Sequence, residues 1–139
     1  MGRQIVVPLD HSAQSWNALE YAFSQHPDAE FLVLHVLQPL DGILEGEVYG
    51  AETHRKRAKE EAENLLEEAA DLGATTDVAV RTMLREGRPA REIVEAAEEE
   101  AADHVIMGSH GRSGVTRVLL GSVAERVVRR SPVPVTVVR

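Results

Sequence analysis

One pattern runs the length of the chain. A short apolar run is followed by an amphipathic segment four times over, and a last apolar run closes the sequence. The runs are 4–9 (QIVVPL), Glu30–Leu37 (EFLVLHVL), 76–84 (TDVAVRTML), 103–107 (DHVIM) and 133–138 (VPVTVV). They are short and rich in β-branched residues, as strands are. Between them, Ala13–Gln25 places Trp16, Leu19, Ala22 and Phe23 at helical spacing, with Ser12 positioned to cap its start. Residues 53–72 set Ala58, Ala62, Leu65, Leu66, Ala69 and Leu72 on one face, and Gly73 stands where a helix stop is expected. Pro89 opens a third helix, with Ile93, Val94, Ala97 and Ala101 on its buried side, and a fourth ends near Arg130.

Strands apolar on both faces and joined by crossover helices form a parallel sheet covered on both sides. With right-handed crossovers, the expected architecture is a single α/β domain over residues 1–139: a doubly wound five-stranded sheet in the order 3-2-1-4-5. That order reverses direction between strands 1 and 4. Ligands of such sheets bind at the reversal, beyond the carboxyl ends of the strands. The expected site therefore lies just after Leu9 and just after Met107.

Composition narrows the function. The chain has 139 residues, a net charge of −8 and no cysteine, so a disulfide framework, a thiolate metal site and a cysteine nucleophile are excluded. The acidic balance argues against a nucleic-acid surface. No apolar run approaches the ~20 residues of a membrane span, and the first residues lack a signal-peptide pattern. A cytoplasmic location is the expectation. Of the 15 basic residues only Lys56 and Lys59 are lysine. A salt-rich cytoplasm and a GC-rich genome account for this equally well. His11, His26, His54 and His104 lack metal-ligand spacing. His35 reads as a core histidine and Glu98–Glu99–Glu100 as a solvated helix face.

Both ends of the expected crevice carry suitable residues. Pro8 and Leu9 end the first strand, and Asp10 follows it. After Met107 the chain reads GSHGRSGVTRVLLGSV, from Gly108 to Val123. Gly108, Gly111 and Gly114 let a backbone approach a ligand closely, and their N–H groups suit an anion nest. Ser122-Val-Ala-Glu125 has the form of a capping box, which starts the last helix at Ser122 with Gly121 just outside. A helix start favours phosphate, and the Ser122 hydroxyl is an alternative phosphate ligand. His110 lies within the loop. Arg112 and Arg117 could add charge-assisted contacts. The Walker pattern fails, because Gly121 is followed by Ser122 and Val123. The dinucleotide fingerprint fails because the glycines follow the fourth strand, not the first.

With these residues the chain resembles the ATP-binding branch of the universal stress protein family. The family motif G-x2-G-x9-G-[S/T] falls on Gly108, Gly111, Gly121 and Ser122. The opening IVVPLDHS, the stretch LHVL around Val36 and the ending SPVPVTVVR are similar to the family throughout. The resemblance implies a Rossmann-like fold and ATP as ligand, with Mg²⁺ or Mn²⁺ as its companion. It implies Asp10 and Gly108 beside the ribose, and the Val36 backbone at adenine with Pro8 and Met107 alongside. It also implies Gly111, Gly121, Ser122 and Val123 at the phosphates. Three functions stay open: a stress-response regulator whose nucleotide occupancy modulates a dimer or partner, a slow ATPase, and a nucleotide-independent interaction module. No catalytic set is visible. The last strand, residues 133–138, is an unprotected edge and is expected to pair with a second copy, from Val133 to Val138, in a homodimer.

Overall fold

Val, Ile and Leu in the short runs fill both faces of a pleated sheet, and the amphipathic helices cover it. A computed structural model describes residues 2–39, 48–109 and 120–139. Its elements are β1 (Gln4–Pro8), α1 (Ala13–Gln25), β2 (Glu30–Leu37), α2 (Val48–Thr75) and β3 (Ala79–Glu86). They continue with α3 (Pro89–Glu99), β4 (His104–Gly108), α4 (Ser122–Arg130) and β5 (Val135–Val138). All neighbouring strands pair in parallel, in the order β3-β2-β1-β4-β5. This is the doubly wound α/β sheet expected from the alternation of runs.

Alternate residues of each strand feed two cores. Ile5, Val7, Phe31, Val33 and Ile106 pack under α1 and α2 against Leu19, Phe23, Leu65 and Ala69. Phe23 meets Phe31 edge-on at 5.0 Å. On the other face Val6, Leu32, Leu34, Val105 and Met107 meet α3 and α4 through Ile93, Ala97, Ala124 and Val127. The two-residue period of the strands thus assigns each side chain to one layer.

Several boundaries differ from expectation, each for a physical reason. Helix α2 passes through Gly73 and ends at Thr75. Gly73 serves packing, because a Cβ there would lie 2.3 Å from Val80 Cγ2. The chain leaves the helix at Asp77, whose φ is 58°. The Val78 amide then returns to the Gly73 carbonyl at 2.8 Å, so β3 begins only at Ala79. At the other end, Ser131 Oγ accepts from the Val133 amide at 3.1 Å and donates to its carbonyl at 2.7 Å. That small turn keeps Val133 out of β5, which starts at Val135.

The acidic run on α3 is more than a solvated face. Arg85 of β3 reaches Glu92 at 2.8 Å, Glu99 at 2.9 Å and Glu95 at 3.6 Å. Arg81 holds Glu100 at 2.9 Å. The hydrogen bonds that Arg85 donates to Glu99 and Glu92 raise its pKa further, and Arg85 in turn lowers that of Glu99. These ion pairs tie the edge strand β3 to the helix beside it.

Candidate functional site

Strands β1 and β4 pair only at Ile5↔His104 and Val6↔Val105. Beyond that point each keeps its outer neighbour: β1 pairs with β2 as far as Pro8↔Leu34, and β4 with β5 as far as Gly108↔Val138. The two halves of the sheet therefore separate after Val6 and Val105. Their carboxyl ends flank a crevice at the reversal of strand order, where open α/β sheets bind ligands.

The β1 side of the crevice is tightly held. Leu9 is buried and Pro8 and Asp10 are half-buried. Asp10 Oδ1 accepts from the Ser12 amide at 2.7 Å. Ser15 Oγ accepts from the Asp10 amide at 3.1 Å and lies within donating distance of the Asp10 carbonyl (2.9 Å) and the Ser12 carbonyl (3.0 Å). Ser12 Oγ caps α1 by accepting from the Ser15 amide at 3.2 Å, as its sequence position implies. One carboxylate oxygen of Asp10 is thus engaged by the loop itself. Oδ2 has no partner among the described residues.

The β4 side is shaped by close approach. A Cβ on Gly108 would lie 2.9 Å from the carbonyl carbon and oxygen of Gln14, so only glycine lets the end of β4 pass the first turn of α1. Met107 is buried against the α3–α4 layer. The Ser109 amide donates to the Val138 carbonyl at 2.8 Å, and its own carbonyl accepts from the Gly121 amide at 2.7 Å.

The start of α4 departs from the capping box. The N-cap is Gly121, with φ −63° and ψ 155°, and no side chain caps the helix. Ser122 is the first helical residue and is exposed, while Val123 is half-buried. Glu125 instead pairs with Arg129 at 2.9 Å. A Ser-x-x-Glu pattern marks a helix start but does not show whether the serine caps the helix or stands as its first residue. Here the helix starts at Ser122 with Gly121 just outside, as expected, but Ser122 is its first residue and not its cap, so its hydroxyl and the first-turn amides are not consumed by a side-chain cap. His110, Gly111, Arg112 and Arg117 lie outside the described residues.

Val36 sits where β2 outruns β1. The last bond between these strands runs from the Leu9 amide to the Leu34 carbonyl at 2.8 Å, whereas the Leu37 carbonyl accepts from Gly87, beyond β3, at 2.9 Å. In a parallel strand the N–H and C=O of one residue point to the same side, and successive residues alternate sides. Leu34 faces β1 and Leu37 faces β3, so Val36 turns both of its backbone groups toward the β1 side. There β1 has already left the ladder.

Sequence reasoning missed two buried serines. Ser15, 5% exposed, locks the Asp10 loop, and Ser109, 3% exposed, joins β4 to β5 and α4. The available signals were a second serine three residues after Ser12 and a serine directly after Gly108.

A parallel five-stranded sheet in the order 3-2-1-4-5, covered by helices on both faces and open at its strand reversal, places the chain in the class of doubly wound, Rossmann-like folds. Comparison with known proteins gives the family. The model of the universal stress protein family matches residues 1–139, and the chain belongs to that family. It is 37% identical to universal stress protein MJ0531 of Methanocaldococcus jannaschii, over 99% of this chain and 82% of that protein. The solved structure of protein MJ0577, which has a counterpart of the same name in Methanocaldococcus jannaschii, is 33% identical with a TM-score of 0.82. The match covers 99% of this chain and 96% of that one. A universal stress protein solved in complex with cAMP is 26% identical with a TM-score of 0.68, covering 99% and 97%.

Proposed function

We propose that this chain is a cytoplasmic ATP-binding regulatory protein of the stress response, a single domain whose nucleotide occupancy modulates a dimer or partner interaction. The observation that carries the reading is the open backbone edge of Val36 at one end of the crevice and the uncapped start of α4 at the other. Adenine presents an acceptor ring nitrogen beside a donor amino group, which complements a backbone N–H and C=O. Guanine presents a ring N–H and a carbonyl in the corresponding places and does not. The first-turn amides of α4, at Ser122 and Val123, suit phosphate through free donors and the positive end of the helix dipole. Asp10 Oδ2 suits a ribose hydroxyl between them. The relative that carries cAMP in its structure supports an adenine nucleotide as the ligand class.

Among the described residues, no group of three or more His, Asp or Glu side chains could hold a metal ion. Mg²⁺ or Mn²⁺ accompanying ATP would then be held mainly by the triphosphate. Donors that grip ground-state phosphates equally in the transition state give no acceleration. Bound ATP is accordingly read as a retained ligand with very slow hydrolysis. Identification of the nucleotide released on denaturing freshly purified protein tests the reading. An adenine nucleotide near one per chain supports it. Protein that releases none, and stays empty after incubation with ATP, refutes it.

A further inference from the structure

The Leu9 carbonyl is the acceptor that a continued β1–β2 ladder would offer to the Val36 amide. After the bond from the Leu9 amide to the Leu34 carbonyl, the next in a parallel register runs from the Val36 amide to the Leu9 carbonyl. That bond is not part of the ladder, whose pairing ends at Pro8↔Leu34. The Leu9 carbonyl is taken instead by His35 Nδ1 at 2.7 Å. A carbonyl only accepts, so Nδ1 carries the proton and donates. Leu9 is 2% exposed, and a carbonyl left unsatisfied there is expensive enough to seek the nearest donor. His35 comes from the neighbouring position on β2, and its ring meets His11 edge-on at 5.9 Å.

We propose that His35 is a positioning residue that occupies the Leu9 carbonyl and so reserves the Val36 N–H for the base of the ligand. The proposal rests on the adenine reading above and adds to it the source of base selectivity. Without the imidazole, the Leu9 carbonyl captures the Val36 amide, β1 and β2 zip together one residue further, and adenine loses its donor. Guanine makes no productive use of that donor, so its weak binding does not change.

The test compares the full chain with His35→Leu and His35→Asn, whose side-chain amide can take the place of Nδ1. Affinities for ATP and GTP are titrated, and exchange of the Val36 amide is followed by NMR. The expected result is an ATP affinity about tenfold weaker in His35→Leu, the loss of one hydrogen bond to the base. GTP binding stays unchanged, and His35→Asn recovers the ATP affinity. The Val36 amide exchanges freely in the wild type, is protected by ATP, and is protected without ATP in His35→Leu. Equal losses for ATP and GTP, or full ATP preference in His35→Leu, overturn the role of His35 while the adenine reading stands. A wild type with no preference for ATP overturns both. Should His35→Leu fail to fold, the wild-type amide still decides: protection before any nucleotide is added overturns the proposal.

Discussion

The Gly121 amide donates to the Ser109 carbonyl at 2.7 Å, which clamps the start of α4 to the end of β4. The chain leaves the sheet and re-enters the helix at one point, on the rim of the crevice. Ser109 also donates to Val138, so β4, β5 and α4 meet at a single buried residue. The placement of the first-turn amides of α4 is thus a property of the sheet.

Gly108 is a packing glycine. A methyl group there would meet the backbone of Gln14, which cannot rotate away. Gly108→Ala is expected to lower stability by about 1–3 kcal/mol, the usual range for overpacking. The urea midpoint measures it, and an unchanged midpoint would mean that α1 shifts freely.

Ala101 closes α3 in the left-handed region with φ 51°, and the Ala102 amide returns to the Ala97 carbonyl at 2.9 Å. A residue with a Cβ is disfavoured there by roughly 1–2 kcal/mol. Glycine escapes that strain but loses more entropy on folding. Ala101→Gly should therefore raise stability by roughly 0.5–1 kcal/mol. A lower denaturation midpoint in this variant would contradict the assigned backbone conformation.

His104 sits at the opposite end of the sheet from the crevice, with Nε2 2.7 Å from Thr136 Oγ1 and its ring against His26. Burial first, then the nearby His26 and Arg3, hold its pKa below the ordinary 6.5. As pH falls through 6.5 the unfolded chain takes up a proton that the folded chain resists, so stability falls with pH in that window. Thermal melts from pH 7.5 to pH 5.5 span the window, chosen around the reference value of about 6.5 for histidine. His104→Gln keeps a partner for Thr136 and cannot titrate, so its melting temperature should fall less steeply. Identical slopes would remove His104 from the account.

Much of the architecture was legible because the alternation of patterns admits few topologies. The bounds of α1 and β2 follow directly from periodicity and from the Ser12 cap. Gly73 misled because a glycine that ends a helix and one that makes room for Val80 look the same in a sequence. The Ser122–Glu125 pattern placed the helix start and misled only on the cap, because it does not show whether the serine caps the helix or stands as its first residue. The placement of Asp10 and Gly108 at the strand reversal was findable from topology alone. The contact of His35 with the Leu9 carbonyl was not, since it depends on where β1 leaves the ladder.

The edge of β5 carries the dimer proposal. Val105 donates to the Pro134 carbonyl at 3.0 Å and Ser109 to that of Val138 at 2.8 Å, so alternate residues from Pro134 face β4. Val135 and Val137 therefore turn their backbone groups outward, open to an antiparallel second copy. Val137→Pro removes an outward N–H and leaves the β4–β5 bonds intact. Sedimentation should find wild-type dimer and folded Val137→Pro monomer. A monomeric wild type, or a variant that still dimerises, would exclude this edge.

The central claim is that one adenine nucleotide lies where β1 and β4 separate, with its phosphates on the start of α4. Calorimetric titration of ATP into the wild type and Gly121→Val tests it most directly. The Gly121 backbone, at φ −63° and ψ 155°, is one that valine can adopt, and a side chain at this buried N-cap would compete with phosphates held on the first turn of α4; a thermal melt of the variant checks first that it folds. The account predicts one micromolar site in the wild type. In the variant, affinity should fall by about 100-fold or more, at least the upper range for a charge-assisted hydrogen bond. A wild type that binds no ATP, or a folded Gly121→Val that binds it equally well, would contradict the account.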